Sequence, residues 1–312
     1  MEAIRNVAIV GAGLVGRGWA IVFARAGHDV TIYDGSVDIR AAVIDRIRAS
    51  LADMQEAGLI DAIDPVIRRL SVVDTLEGAV ADADYIQESV LELHDVKEAV
   101  CLEIDRAMRP DAVVGSSSSG IPASAFTERC ANRARFLVAH PVNPPHLIPL
   151  VELVPAPWTD ADIVSWLREQ MEQMGQAAIV VRKEVEGFVL NRLQGALLNE
   201  AWALLEEGVA SAADIDLTVS HGLGYRWSFM GPFETIDLNA PGGIADYARR
   251  LGPLYHAIAV ARRDPAPWSE ALVGKAEAAR REKLSASRLG ERSTWRDRNL
   301  MALVAHKRRT SV

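Results

Sequence analysis

Arg5-Asn-Val-Ala-Ile-Val-Gly-Ala-Gly-Leu-Val-Gly16 and, one helical stretch later, Asp29-Val-Thr-Ile-Tyr-Asp34 decide the fold of this chain. Val7 to Val10 form a short apolar run, the pattern of a strand buried on both faces. Gly11, Gly13 and Gly16 follow at once, spaced G-x-G-x-x-G. Trp19, Ala20, Val22, Phe23 and Ala24 then recur at helical spacing until Gly27 stops the helix, and Val30 to Tyr33 make a second strand. Each glycine has a physical reason: Gly11 for the tight turn, Gly13 for close backbone approach to a pyrophosphate, Gly16 for helix-on-strand packing. The helix offers its first N–H groups and the positive end of its dipole to phosphates. Asp34, 18 residues after Gly16, stands where a carboxylate accepts from a ribose 2′-hydroxyl and repels a 2′-phosphate. The cofactor expected is therefore NAD rather than NADP. A lone glycine motif is weak, but a strand before it, a helix after it and an acid closing the next strand are the context it requires.

At 312 residues the chain has the length of two domains. Hydrophobic residues are 49% and charged residues 24%, ordinary for a globular protein. A net charge of −8 gives no general attraction to nucleic acid or to an anionic membrane. Cys101 and Cys130 fit neither a metal spacing nor a disulfide framework, so no metal is expected and a reducing cytoplasm is. The chain enters its first strand without a signal peptide, and no apolar stretch reaches the roughly 18 residues of a membrane span.

Strands and helices alternate over the first part of the chain. Short strands are expected at 70–73, 83–86, 112–115, 135–139, 150–154 and 178–181, with helices at 37–57, 90–108 and 163–174 between them. This alternation argues for a Rossmann-type, doubly wound and mainly parallel sheet over residues 1–186. From Phe188 onward no strand is evident. A long helix over 188–207 opens an all-helical domain over 187–312, with further helices near 212–221, 233–238, 243–260, 267–283 and 296–308. Many Arg and Lys residues lie in the last fifty positions, but interleaved acids make this a solvated helix face.

Open α/β sheets place ligands beyond the carboxyl ends of their strands. Ser119, His140 and Glu152 are the polar residues at or near such ends, and Asn191 lies near the start of the long helix. Oxidising an alcohol with a nicotinamide needs a base for the hydroxyl proton, and an imidazole titrates near neutrality. Glu152 interrupts the apolar run Leu150-Val-Glu-Leu-Val154, an odd place for an acid unless it is paired; a solvent-facing Glu152 on an edge strand is the other possibility. A Ser-His-Glu hydrolase would need a nucleophile elbow such as G-x-S-x-G, which Ser119 lacks. Glu92 and Lys97, on the helix after the 83–86 strand, read from the sequence as surface charges.

With these residues in view, the chain resembles the 3-hydroxyacyl-CoA dehydrogenase superfamily over nearly its whole length. Ser119, His140 with Asn143-Pro144, Glu152 and Asn191-Arg192-Leu193 carry the resemblance, at spacings of 21 residues from Ser119 to His140 and 12 from His140 to Glu152. Within it, Gly13-Leu-Val-Gly-Arg17, Ser116 to Ser119, Ala139-His-Pro-Val-Asn-Pro-Pro145 and Gly231-Pro-Phe-Glu-Thr-Ile-Asp-Leu-Asn239 are similar to the lambda-crystallin family of L-gulonate 3-dehydrogenases. The resemblance implies an NAD-binding Rossmann domain followed by a helical domain that makes a homodimer. It also implies His140 as base, Glu152 as its partner, and Ser119 and Asn191 on the substrate oxygen. Leu14, Val15, Asp34, Glu92 and Lys97 would contact the cofactor. The substrate implied is a small 3-hydroxy acid, L-gulonate first, with a 3-hydroxyacyl-CoA or L-carnitine as alternatives. Arg226 in Gly224-Tyr-Arg-Trp227 is the candidate for the substrate carboxylate. A binding protein that keeps the dinucleotide without turnover is the reading from a different class.

Overall fold

A computed structural model describes residues 3–263 and 267–310. Eight strands form one sheet: β1 (Asn6–Val10), β2 (Asp29–Tyr33), β3 (Leu70–Val72), β4 (Tyr85–Glu88), β5 (Val113–Ser116), β6 (Phe136–Pro141), β7 (Leu150–Pro155) and β8 (Ala177–Val180). Their order is β3-β2-β1-β4-β5-β6-β7-β8. All neighbours pair in parallel except β6 and β7, which run antiparallel. Between the strands lie α1 (Leu14–Ala26), α2 (Val37–Glu56), α3 (Asp64–Ile67), α4 (Leu76–Val80), α5 (His94–Ala107), α6 (Ala123–Thr127) and α7 (Ala161–Gln173). The sheet is thus the doubly wound one that the strand–helix alternation predicts, with one antiparallel step near its end.

Helices cover both faces of the sheet, so its strands are apolar on both. Along β1, Val7 and Ile9 join a core built on Trp19, Phe23, Ile47 and Leu51, while Ala8 and Val10 join one built on Ile104, Phe126, Phe136 and Phe188. Trp19 stacks on Phe23, and Phe23 meets Tyr85 at a tilt, each pair of ring centroids 5.5 Å apart.

The chain divides into two compact units, residues 1–192 with 293–312, and residues 193–292. Two helices run across the division: α8 (Leu190–Glu206) and, at the other end, α14 (Leu289–Thr310). Between them come α9 (Ala212–Leu217), α10 (Gly224–Trp227), α11 (Pro232–Leu238), α12 (Gly243–Ala261) and α13 (Glu270–Lys283). A π-helical turn, Thr218–Leu223, joins α9 to α10. No strand occurs after β8 among the described residues.

The division differs at the C-terminus from a helical domain running through to residue 312. The second half of α14 belongs with the sheet: Met301 is buried in the Trp19 core, Leu300, Val304 and Ala305 pack beside it, and Arg308 Nη1 donates to the Leu59 carbonyl at 3.1 Å. Apolar residues at helical spacing on one short stripe, amid Arg and Lys, gave the sequence no means of saying which unit they cover. The second unit holds itself together differently. Trp202 stacks on Trp268 at 4.9 Å, and Arg262 is held by both Glu200 and Glu207. Among its described residues only Leu205, Thr235, Ala240 and Leu272 are buried.

Candidate active site

The turn between β1 and α1 has the shape that its glycines require. Gly11 adopts φ +96°, and a Cβ there would lie 2.6 Å from the Ser89 carbonyl oxygen. At Gly16 a Cβ would lie 1.9 Å from the Gly11 carbonyl oxygen, so that position admits no side chain. Gly13, by contrast, faces open space with nothing within 4 Å. It is also the N-cap of α1, which has neither a side-chain cap nor an acid in its first turn. The orphan N–H groups and the dipole there remain available to an anion, as a pyrophosphate needs. Leu14 is exposed beside it and Val15 is half-buried. Asp34 closes β2, its Oδ2 accepting from Ala12 N and its Oδ1 from Ser36 N, both at 2.8 Å. The acid thereby braces the glycine turn, and the residues present fit a dinucleotide.

Beyond β5 the serine run forms a loop tied to Glu92. Glu92 Oε1 accepts from Ser119 N at 2.9 Å and Gly120 N at 3.2 Å, and the Ser118 hydroxyl lies 2.7 Å from it. Burial alone would raise this carboxyl, but the Ser118 hydroxyl, the Lys97 charge and the loop N–H groups outweigh it and hold it below the usual range. The sequence places Glu92 on a helix running 90–108. In the structure α5 begins only at His94, and Glu92 stands on the preceding loop, because its carboxylate is committed to the serine loop. Nor is Lys97 a surface charge. It is fully buried, with Nζ 3.0 and 3.1 Å from the two oxygens of buried Glu88. Burial of both charges is tolerable because they are paired and further hydrogen-bonded, Glu88 accepting also from Ser116 Oγ at 2.5 Å and Val90 N at 2.6 Å. Glu88 escaped the sequence reading, although an acid ending the apolar strand Tyr85-Ile-Gln-Glu88 was a signal of the same kind as Glu152.

His140 and Glu152 stand directly opposite each other in the antiparallel β6–β7 pair. Residues opposite in such a pair point to the same side of the sheet, which is how a spacing of 12 becomes a contact. His140 Nδ1 lies 2.8 Å from Glu152 Oε2, with Glu152 fully buried and the histidine nearly so. Glu152 therefore does not face solvent from an edge; β8 covers that flank. Burial would raise its carboxyl, but the His140 hydrogen bond, the N–H groups of Leu190 and Val189, and the histidine's charge together lower it. An ionised Glu152 can only accept, so Nδ1 is the ring nitrogen that donates to it, and in the neutral imidazole Nε2 is left as the acceptor.

The other oxygen of Glu152 does separate work. Oε1 accepts from Val189 N at 2.9 Å and Leu190 N at 3.0 Å, at the entry to α8. The turn into that helix uses left-handed backbone at Gly187 (φ +74°) and Phe188 (φ +51°). Phe188 is strained there, at a cost of about 1–3 kcal/mol. It is buried with its ring 5.7 Å from that of His140, and so fixes the imidazole from a second side. One residue past Leu190, Asn191 Nδ2 donates to the Ser119 carbonyl at 2.5 Å. His140, Glu152, Asn191 and Ser119 are thus joined in one chain of contacts. Ser119 is exposed, and among the described residues its hydroxyl makes no hydrogen bond. Phe188 was not singled out from the sequence, since nothing about a phenylalanine announces positive φ.

Arg226 lies in the second unit, exposed on α10, with its charge felt by the Tyr255 hydroxyl. Among the described residues no group of three or more His, Cys, Asp or Glu could hold a metal ion, and no helix is long and apolar enough to cross a membrane. Cys101 and Cys130 are buried thiols, the second pushed up to about 12 by burial.

A doubly wound sheet with an uncapped glycine turn, and a histidine–carboxylate pair facing across its β6–β7 ladder, is the frame of a nicotinamide-dependent oxidoreductase. Comparison with known proteins makes this specific. Residues 6–185 match the NAD-binding domain of 3-hydroxyacyl-CoA dehydrogenase and residues 187–285 match its C-terminal domain. The chain belongs to the NAD-dependent 3-hydroxyacyl-CoA dehydrogenase family. It is 38% identical to lambda-crystallin of Oryctolagus cuniculus over 98% of this chain and 97% of that one. It is 40% identical to an L-carnitine dehydrogenase of Streptomyces coelicolor over 81% of this chain and 79% of that one. Among solved structures it is similar to the NAD-dependent 5-formyl-3-hydroxy-2-methylpyridine 4-carboxylic acid 5-dehydrogenase, with TM-score 0.75, 30% identity and 98% of each chain covered. The cofactor is NAD.

Proposed function

We propose that this protein oxidises the 3-hydroxyl of a small 3-hydroxy acid to the 3-keto acid, with L-gulonate as preferred substrate. The observation that carries the chemistry is the buried His140–Glu152 contact of 2.8 Å. NAD, when bound, supplies the hydride acceptor. His140 Nε2 takes the hydroxyl proton, and ionised Glu152 stabilises the imidazolium that forms and keeps the ring in one tautomer. The free hydroxyl of Ser119 and the remaining amide valences of Asn191 hold the substrate oxygen, first as alcohol and then as carbonyl. Gly11, Gly13, Leu14, Val15 and Gly16 cradle the pyrophosphate, Asp34 takes the ribose, and Glu92 and Lys97 border the cofactor. Arg226 is the candidate partner of the substrate carboxylate.

The choice of L-gulonate rests on the stretches shared with the lambda-crystallin family and on 38% identity to a member across nearly the whole chain. A second reading, oxidation of L-carnitine, is supported by the 40% identity to an L-carnitine dehydrogenase. A 3-hydroxyacyl-CoA, the family's namesake substrate, is the third. The helical domain makes a homodimer in this account, which its sparse burial supports. Initial rates of NAD reduction with L-gulonate, L-carnitine and 3-hydroxybutyryl-CoA test the assignment. The highest kcat/KM is expected with L-gulonate. A preference of tenfold or more for either alternative, roughly 1.4 kcal/mol of transition-state binding, would overturn the choice.

A further inference from the structure

We infer that Glu92 is a positioning residue for Ser119: it clamps the serine loop from below, and Lys97 holds the clamp in place. The inference rests on the dehydrogenase reading of Ser119 given above, and it assigns Glu92 work distinct from contact with the cofactor. Four donors converge on one carboxylate oxygen. Glu92 Oε1 lies 2.7 Å from Ser118 Oγ, 2.9 Å from Ser119 N, 3.2 Å from Gly120 N and 3.5 Å from Ile121 N. Successive backbone N–H groups aimed at one anion form a nest, and the anion fixes the curvature of the loop that makes it.

The other backbone group of Ser119 is fixed as well, because its carbonyl accepts from Asn191 Nδ2 at 2.5 Å. With N–H and C=O both held, the side chain of Ser119 is the part left to meet a substrate. The loop's foundation is equally determined. Glu92 Oε2 is 3.7 Å from Lys97 Nζ, which is anchored on Glu88, and Ser116 Oγ bridges from Glu88 at 2.5 Å to Ser118 N at 3.2 Å. One lysine thus serves two carboxylates, and the surplus negative charge is met by the N–H groups of the loop. The Glu88–Lys97 pair beneath has no opening to solvent, whereas Glu92 is partly exposed at the loop it holds.

A hydroxyl displaced by about 1 Å from its working position costs on the order of 10²-fold in rate. The test is a double-mutant cycle between Glu92→Ala and Ser119→Ala, reading kcat at saturating NAD, NADH affinity by fluorescence titration, and thermal unfolding. Glu92→Ala alone is expected to lower kcat at saturating NAD about 10²-fold, beyond any change in NADH Kd that its place beside the cofactor brings. In the Ser119→Ala background it is expected to cost less than about threefold more, because its effect runs through the group already removed. Multiplicative losses in the two backgrounds would overturn the inference. So would unchanged kcat in Glu92→Ala, or a tenfold weaker NADH Kd with kcat preserved, which would make Glu92 a cofactor contact only. Should the alanine variant fail to fold, Glu92→Gln keeps an acceptor oxygen but loses the charge facing Lys97, and the same cycle applies with a loss of about tenfold. His140→Ala, run alongside, separates the two claims: loss of turnover there sustains the base assignment whatever Glu92 does.

Discussion

Glu152 divides its two oxygens between the His140 imidazole and the backbone of Val189 and Leu190, so a change there touches both. Glu152→Gln keeps the shape but cannot enforce the histidine tautomer. It is expected to lower kcat by about 10²–10⁴-fold, measured by steady-state NAD reduction. The carboxyl is held below its ordinary value, so its contribution to stability is present above the unfolded-state value of about 4.3 and is lost as pH falls through the folded-state value. The thermal stability gap between wild type and Glu152→Gln should therefore be full at neutral pH and shrink progressively below pH about 4. A gap independent of pH would show that the charge of Glu152 is not what is being stabilised. Glu152 stands out in the sequence because an acid inside an apolar run needs a partner, and His140 because it ends a strand; the structure pairs the two. The sequence could not reveal Phe188 or the second oxygen of Glu152, which depend on a left-handed backbone turn that brings Val189 and Leu190 back to β7.

The β1–α1 turn separates folding from binding in two glycines three residues apart. Gly16→Ala would drive a Cβ into the Gly11 carbonyl and is expected to destabilise the first unit severely. Gly13→Ala meets only open space, so it should fold with a melting temperature close to wild type and yet bind NADH at least tenfold more weakly. Thermal unfolding and fluorescence titration of the two variants check this; unchanged NADH affinity in Gly13→Ala would mean that the turn does not cradle the pyrophosphate. Elements with strong periodicity, such as α2 and α7, fall close to where the sequence puts them. Residues 89–93 do not, because apolar spacing alone extends α5 backwards and cannot see that Glu92 is drawn to the serine loop. The contact between His140 and Glu152 needed the register of β6 on β7, which a count of 12 residues does not supply.

The two units differ in how completely they bury themselves. The first has a core on each face of its sheet, and part of α14 seals one of them. Met301→Ala is expected to cost about 2–5 kcal/mol, read by denaturant unfolding, as for other buried methionines. The second unit has four buried residues among those described and leaves Leu217, Phe229, Phe233, Leu238, Leu254 and Trp268 exposed. Exposed apolar side chains in such number are what the second subunit would cover in the homodimer proposed above. Light scattering is expected to give twice the chain mass of 33.9 kDa, and a monomer at micromolar concentration would contradict it. Strand–helix alternation and the change of character near residue 186 carried the two-part architecture in the sequence; the allegiance of α14 was set by packing across some 250 residues of chain, as Arg308 on Leu59 illustrates.

The most direct test of the central claim is the rate of NAD reduction by His140→Ala, measured at saturating substrate and NAD together with its NADH affinity. The account predicts that turnover falls by at least about 10²-fold while NADH binds as tightly as to the wild type. Near-normal turnover in that variant would contradict the assignment of His140 as the base.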